Sequence, residues 1–214
     1  RLGETPLILA AQHGSLECVA ALTEEAGLIV AAVNGENATA LILAAMLEKT
    51  EVAKVLIAAY VARGVGVDHQ TASGYTALHW AVVRGNEDIT IDLVDAGGSL
   101  NTRRTEGTKA LCRLPIHKCA EYGSEDCLQV LLKAGADPRL EDKLGMTAMH
   151  IAAGKGFLKI MQNLLSWPPE GSPVVGVNIL SKKNGKSPLH YAVEHLQLDA
   201  AQLILDSAEG PDKA

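Results

Sequence analysis

Apolar residues run along this chain in short blocks of two alternating kinds. The first kind is a compact run such as TPLILAAQHG from Thr5, with a hydroxyl residue in front and a glycine behind. The second follows it and spaces its apolar positions three and four apart. Examples are Val52, Val55 and Leu56, then Ile89, Leu93 and Val94, then Leu128, Leu131 and Leu132. That spacing lines up one face of a helix. Each pair of blocks therefore predicts two short helices, and neither is long enough to hold together alone.

The compact run occurs six times. The copies are TPLILAAQHG from Thr5, TALILAAMLE from Thr39, TALHWAVVRG from Thr76, LPIHKCAEYG from Leu114, TAMHIAAGKG from Thr147 and SPLHYAVEHL from Ser187. Their starts are 34, 37, 38, 33 and 40 residues apart. The hydroxyls of Thr5, Thr39, Thr76, Thr147 and Ser187 stand where a helix begins, and can accept from the free amides of its first turn. Pro6, Pro115 and Pro188 take the first helical position, where a missing N–H costs nothing. Gly14, Gly85, Gly123 and Gly156 end the helix, because a left-handed residue is cheapest as glycine. Two copies depart from this pattern. Leu114 predicts a weaker start in copy four, and Glu48 in place of glycine predicts a first helix that runs differently in copy two. Each copy must bury its face on the next, which makes a stack with neighbour contacts only. Three insertions, near 63–68, 103–113 and 166–177, are expected as surface loops at the junctions.

A helix–turn–helix unit of about 33 residues opening T-P-L-H-x-A resembles the ankyrin repeat. The resemblance runs from Gly3 to Leu205. It implies an all-α ankyrin-repeat solenoid of stacked helix–turn–helix units with β-hairpin or turn fingers. Residues 1–214 would form a single domain with repeats starting near 3, 35, 72, 109, 142 and 183. The motif histidine is present as His79, His117, His150 and His190, and is replaced by Ile8 and Ile42 in copies one and two. One slot repeated in successive layers reads as a ring that hydrogen-bonds backbone across turns. The competing reading, a metal or acid–base ladder, needs ligands from different layers to meet at one ion.

The resemblance also implies a role, which is binding another protein on a concave surface of finger tips and first helices. The family's contact positions lie before the Thr and after the Ala-Ala pair. Glu4 and Gln12 match them in copy one. Further along they select Met46, Leu47, Ser73, Tyr75, Val83, Arg84, Arg113, Tyr122, Leu144, Met146, Lys155, Lys183 and Lys186. The middle of that set is rich in Met, Tyr and Leu, as the core of an interaction patch is. Its end is basic, with Lys143 and Lys182 nearby. The partner expected is a protein with apolar anchors and an acidic stretch over copies five and six. Two plainer readings stand beside this one. Met46 and Leu47 are equally compatible with burial by a neighbouring repeat, and the lysines with a solvated rim.

Composition then removes several functions. Only 3% of the 214 residues are aromatic against 48% hydrophobic, which favours thin layers of small side chains. The net charge is −6, all of it in residues 1–107 with 7 Lys/Arg against 13 Asp/Glu; the remainder holds 12 of each. That balance excludes general affinity for nucleic acid, which needs a basic surface, and a polybasic membrane contact. The apolar run Ala38 to Leu47 is too short for a bilayer. Cys18, Cys112, Cys119 and Cys127 form no Cys-x-x-Cys pair and are too sparse for a disulfide framework. They point to a reducing compartment, the cytoplasm or alternatively the nucleus, and Cys18 and Cys127 read as small core residues. Gly185-Lys186-Ser187 lacks the earlier glycine of a phosphate loop, having Leu180 there, and no G-x-S-x-G or H-E-x-x-H occurs. Neither an enzyme nor a cofactor is expected. The abrupt start at Arg1, inside copy one, points to missing sequence. It keeps a second role open, the regulatory or targeting segment of a larger enzyme or channel.

Overall fold

The computed structural model describes residues 3–25, 29–103, 112–167 and 177–208. Among these residues the regular structure is twelve helices in six pairs. The first three pairs are α1 (Pro6–His13) and α2 (Leu16–Glu24), α3 (Ala40–Met46) and α4 (Thr50–Ala62), and α5 (Ala77–Arg84) and α6 (Glu87–Asp95). The other three are α7 (Pro115–Tyr122) and α8 (Glu125–Lys133), α9 (Ala148–Lys155) and α10 (Leu158–Leu165), and α11 (Pro188–Glu194) and α12 (Leu198–Ala208). The chain divides into two compact units, Arg1–Ala110 and Leu111–Ala214, with three pairs in each. Within unit 1 the first helices pack in the order α1, α3, α5 and the second helices in the order α2, α4, α6. Unit 2 repeats the arrangement with α7, α9, α11 and α8, α10, α12. The core between the two helical layers is aliphatic, with Leu7, Leu41, Leu56, Leu78 and Ile89 in unit 1 and Ile116, Leu128 and Leu131 in unit 2 fully buried.

The helix starts follow the motif, with one change of partner. The hydroxyls of Thr5, Thr39 and Thr76 each accept from the amide three residues on, at 3.3 Å. The hydroxyls of Thr76, Thr147 and Ser187 also meet Nδ1 of the motif histidine, His79, His150 and His190, at 2.9, 2.9 and 2.8 Å. Leu114 has no hydroxyl, yet its backbone N–H donates to Nδ1 of His117 at 3.2 Å. The amide that a hydroxyl would cap, His117 N–H, turns instead to the Leu114 carbonyl at 3.0 Å, and α7 still starts at the motif position.

Gly14, Gly85, Gly123 and Gly156 all take left-handed geometry at the helix ends, with φ between 68° and 77°. Copy two does not run differently. Glu48 adopts φ 58° where the glycine would stand, and the Lys49 N–H closes on the Ala44 carbonyl at 2.9 Å. Leu196 does the same in copy six, at φ 57°. Left-handed geometry costs an L-residue about 1–2 kcal/mol, so these two ends carry local strain that packing overrides.

Two expectations need correction. The extra residues of copy two lengthen a helix rather than form only a surface loop near 63–68. α4 has 13 residues where α2, α6 and α8 have 9. Its added turn buries Tyr60, whose hydroxyl donates to the Val30 carbonyl at 3.0 Å. Cys18 is exposed, although Cys127 at the matching place in α8 is buried. The cause lies in the two helices: α2 buries Val19 alone, whereas α8 buries Cys127, Leu128 and Leu131. The insertions at 103–113 and 166–177 lie largely outside the described residues.

The fingers are tight turns rather than strands. Their only ladder element among the described residues is an isolated bridge between Val33 and Thr39. Each turn opens on a residue whose side chain holds it. Asn34 Oδ1 accepts from Glu36 and Ala38 N–H at 3.0 and 2.9 Å, and Asp142 Oδ1 from Leu144 and Met146 N–H at 2.8 and 3.1 Å. Thr71 Oγ1 accepts from Tyr75 N–H at 3.1 Å. Asn, Asp and Thr suit this role because their short side chains reach their own backbone a few residues on. Successive fingers also join directly, Ala72 N–H to the Glu36 carbonyl at 2.9 Å and Lys183 N–H to the Leu144 carbonyl at 3.1 Å.

Candidate interaction face

Fingers and first helices together form one face of each unit. In unit 1 this face has two adjoining hollows. The larger, about 520 Å³, is lined by Glu4, Gln12, Asn34, Gly35, Glu36, Leu43 and Met46. The second, about 330 Å³, shares Gly35, Glu36, Leu43 and Met46 and continues to Ile42, Ser73 and Trp80. Tyr75 stacks on Trp80 with ring centroids 5.0 Å apart. The Trp80 indole N–H is buried without a hydrogen-bond acceptor. Arg84 reaches back from copy three, its Nε donating to the Met46 carbonyl at 2.8 Å with Glu48 beside it at 3.8 Å. Met46 and Val83 are half-buried, while Leu47 and Ser73 are exposed.

Unit 2 builds its hollow, about 220 Å³, on charge. Arg113, Glu121, Met146, His150, Ile151, Lys155, Tyr191 and His195 line it. Arg113 bridges Glu121 at 2.9 Å and the fully buried Asp142 at 3.3 Å. Lys118 is itself buried, with its ammonium 2.7 Å from Glu121 and 5.5 Å from the Tyr122 ring centre. Buried charges are tolerated only when paired, and here each cation has a carboxylate. Burial alone pushes the Glu121 carboxyl up, but Lys118 and Arg113 outweigh it and hold it below the usual value. Tyr122 is about half exposed, and Leu144 half-buried. Met146 is 8% exposed, so it offers the hollow a floor and not an anchor that projects.

In His117 and His150 the repeated histidine ties one layer to the next. His117 Nδ1 accepts from Leu114 N–H, which leaves the proton on Nε2 to be donated to the Met146 carbonyl at 3.1 Å. His150 makes the same pair, with Thr147 N–H at 3.1 Å and the Lys186 carbonyl at 3.2 Å. A protonated ring would lose the first of these bonds. Burial lowers the His117 pKa from 6.5 to about 4, with Asp142 raising it and Arg113 lowering it. His150 is lowered too, again by burial first. Among the described residues no group of three His, Cys, Asp or Glu side chains could hold a metal ion. No described helix is long and apolar enough to cross a membrane.

Not every basic residue chosen from the sequence carries a free charge. Lys186 is paired with Glu194, and Lys182 with Glu141. Lys155 and Lys183 are exposed and have no ion-pair partner among the described residues. One set of lining residues escaped the sequence reading altogether. It is the position directly after the histidine slot, occupied by Leu43, Trp80, Ile151 and Tyr191. The signal was present, because this is the x of T-P-L-H-x-A, the motif position that takes the widest range of residue types from copy to copy.

The sequence model described as ankyrin repeats (3 copies) matches residues 1–64, 28–104 and 116–214. The chain is 34% identical over 127 residues to human BCL-6 corepressor-like protein 1, covering 56% of this chain and 7% of that protein. It is 27% identical over 210 residues to the putative palmitoyltransferase ZDHHC13 of Danio rerio, covering 96% of this chain and 30% of that protein. The chain thus spans under a third of either relative. Its fold is similar to a chain in the solved complex of a predatory endopeptidase from Bdellovibrio bacteriovorus with an immunity protein. The TM-score there is 0.77 at 22% identity, over 95% of this chain and 98% of that one.

Proposed function

The chain belongs to the ankyrin-repeat family, and we propose that it is a protein-interaction module whose partner lies on the face of fingers and first helices. The observation that carries this reading is the lining of the three hollows. All three are built from fingers, first helices and the residues flanking them, with no residue from a second helix. Concave, partly apolar surface with a few fixed polar groups is where recognition concentrates. Apolar anchors of the partner meet Met46, Trp80 and Tyr122. In unit 2 an acidic stretch meets Lys155 and Lys183, whose charges are not already neutralised. A reducing compartment, cytoplasm or nucleus, belongs to the same proposal on the sparse cysteines alone. The test is affinity capture with the full chain as bait. Tyr122→Ala and Lys155→Glu lose the same captured proteins, and Gln129→Ala on the outer helix α8 keeps them. Equal recovery with all three variants overturns the reading.

A second reading rests on the share of the relatives that is covered. The segment regulates or targets a larger enzyme or channel, as the name of one relative, a palmitoyltransferase, invites. Sequencing the full transcript decides it. A catalytic or membrane domain in the same reading frame supports this role, and an open reading frame of repeats alone removes it.

A further inference from the structure

Unit 1 is acidic, and part of that acid stands on the candidate face. Arg1–Ala110 contain 8 Lys/Arg against 13 Asp/Glu, a net −5, while Leu111–Ala214 contain 11 against 12. Glu36 lies at the junction of the two hollows, which share it together with Leu43 and Met46. Its backbone is fixed at both ends, the N–H on Asn34 Oδ1 at 3.0 Å and the carbonyl on Ala72 N–H at 2.9 Å. Its side chain is exposed, and the carboxylate has no ion-pair partner among the described residues. A rigid turn thus presents an unneutralised charge beside an apolar floor. Leu43 is buried under that floor, and Met46 is half-buried at its edge.

We propose that the groove of unit 1 binds a partner segment carrying a Lys or Arg beside an apolar side chain. The cation pairs with Glu36, and the apolar group lies over Leu43 and Met46. This rests on the reading of the chain as an interaction module and names the chemistry of one of its sites. Charge complementarity selects the occupant. An acidic segment meets Glu36 and the field of a unit at −5, and a neutral one strips water from Glu36 without replacing its partner. Lys and Arg also carry an apolar stem that can lie on such a floor while the head stays at the rim. Met46 adapts its shape to what lies on it, and Trp80 gives a guanidinium an aromatic wall.

The experiment is selection of a random peptide library on the immobilised full chain, followed by titration of the enriched peptide into variants. The expected consensus has Lys or Arg next to Leu, Ile, Met or Phe. Glu36→Lys weakens it about tenfold or more, Met46→Glu weakens it as well, and Gln129→Ala on α8 leaves it unchanged. Thermal melts that match wild type confirm that the exposed Glu36→Lys change spares the fold. An acidic or neutral consensus, indifference to Glu36→Lys, or no enrichment at all overturns the proposal. Peptides that are acidic and lost with Lys155→Glu refute this site while supporting the interaction module. Peptides indifferent to the variants of both units refute both.

Discussion

Ile8 and Ile42 in unit 1 hold the position that His117 and His150 hold in unit 2, and all four side chains are buried. The isoleucines contribute through apolar burial, about 1.5–3 kcal/mol each. The histidines do two other things. Nδ1 closes the start of their own helix, and Nε2 donates to a carbonyl of the next layer. The finger turns show the same contrast. Neutral Asn34 holds one in unit 1, while buried, ion-paired Asp142 holds the matching one in unit 2. One backbone therefore accepts two kinds of glue. The difference is that unit 2's glue depends on protonation and on buried charge, and that of the first two copies does not.

The largest effect that separates the units should come from their finger residues. Asp142→Ala strips two amides and Arg113 of their acceptor and leaves Arg113 with half its compensation. Breaking a buried pair typically costs about 3–5 kcal/mol, whereas Asn34→Ala removes neutral hydrogen bonds at about 1 kcal/mol. Urea titration of both variants checks the ranking, and equal losses would erase the contrast. One melting transition for residues 1–214 would support a single domain, and two separate transitions would divide them.

Acid is the next lever. Between pH 6.5 and about 4 an unfolded His117 holds a proton that the folded ring does not. The unfolded state then binds more protons, so stability is complete above pH 6.5 and falls as the pH drops. The total loss from this ring is roughly 3 kcal/mol. Urea midpoints across that range should fall less steeply for His117→Ile, which installs the residue type of copies one and two. An unchanged slope would show that the ring is not held neutral.

Smaller effects come from single positions. Leu196→Gly relieves left-handed strain at an exposed residue, and should raise stability by up to about 1 kcal/mol in thermal melts. Glu48→Gly should give less, since it also removes the contact with Arg84. Lys155→Glu should leave stability within about 0.5 kcal/mol, so any change it causes in partner binding is local.

Much of this was legible in the residues. Six phased runs, their caps and their glycines fixed the helix pairs, because those signals are local and each carries its own hydrogen bond. Four features were missed. Cys18 and Cys127 have alike neighbours in sequence, and their burial differs because of what packs on each helix. The four added residues of copy two could extend a helix or a loop, and the choice fell to Tyr60 finding a buried acceptor. On the candidate face, Arg113 and Lys186 read as free cations until their carboxylate partners, 8 to 29 residues away, came into contact. The position after the histidine was overlooked because its residues, from Leu to Trp, look like ordinary core.

The claim that matters most is where a partner sits, and photo-crosslinking asks it directly. A photoreactive residue is placed in the full chain at Ser73, Tyr122 or Lys155 on the candidate face, or at Glu87 or Gln129 on the outer helices. All five positions are exposed. After irradiation in cells, the account predicts protein adducts from the first three and none from the last two. Adducts from Glu87 and Gln129 in equal or greater yield would contradict it.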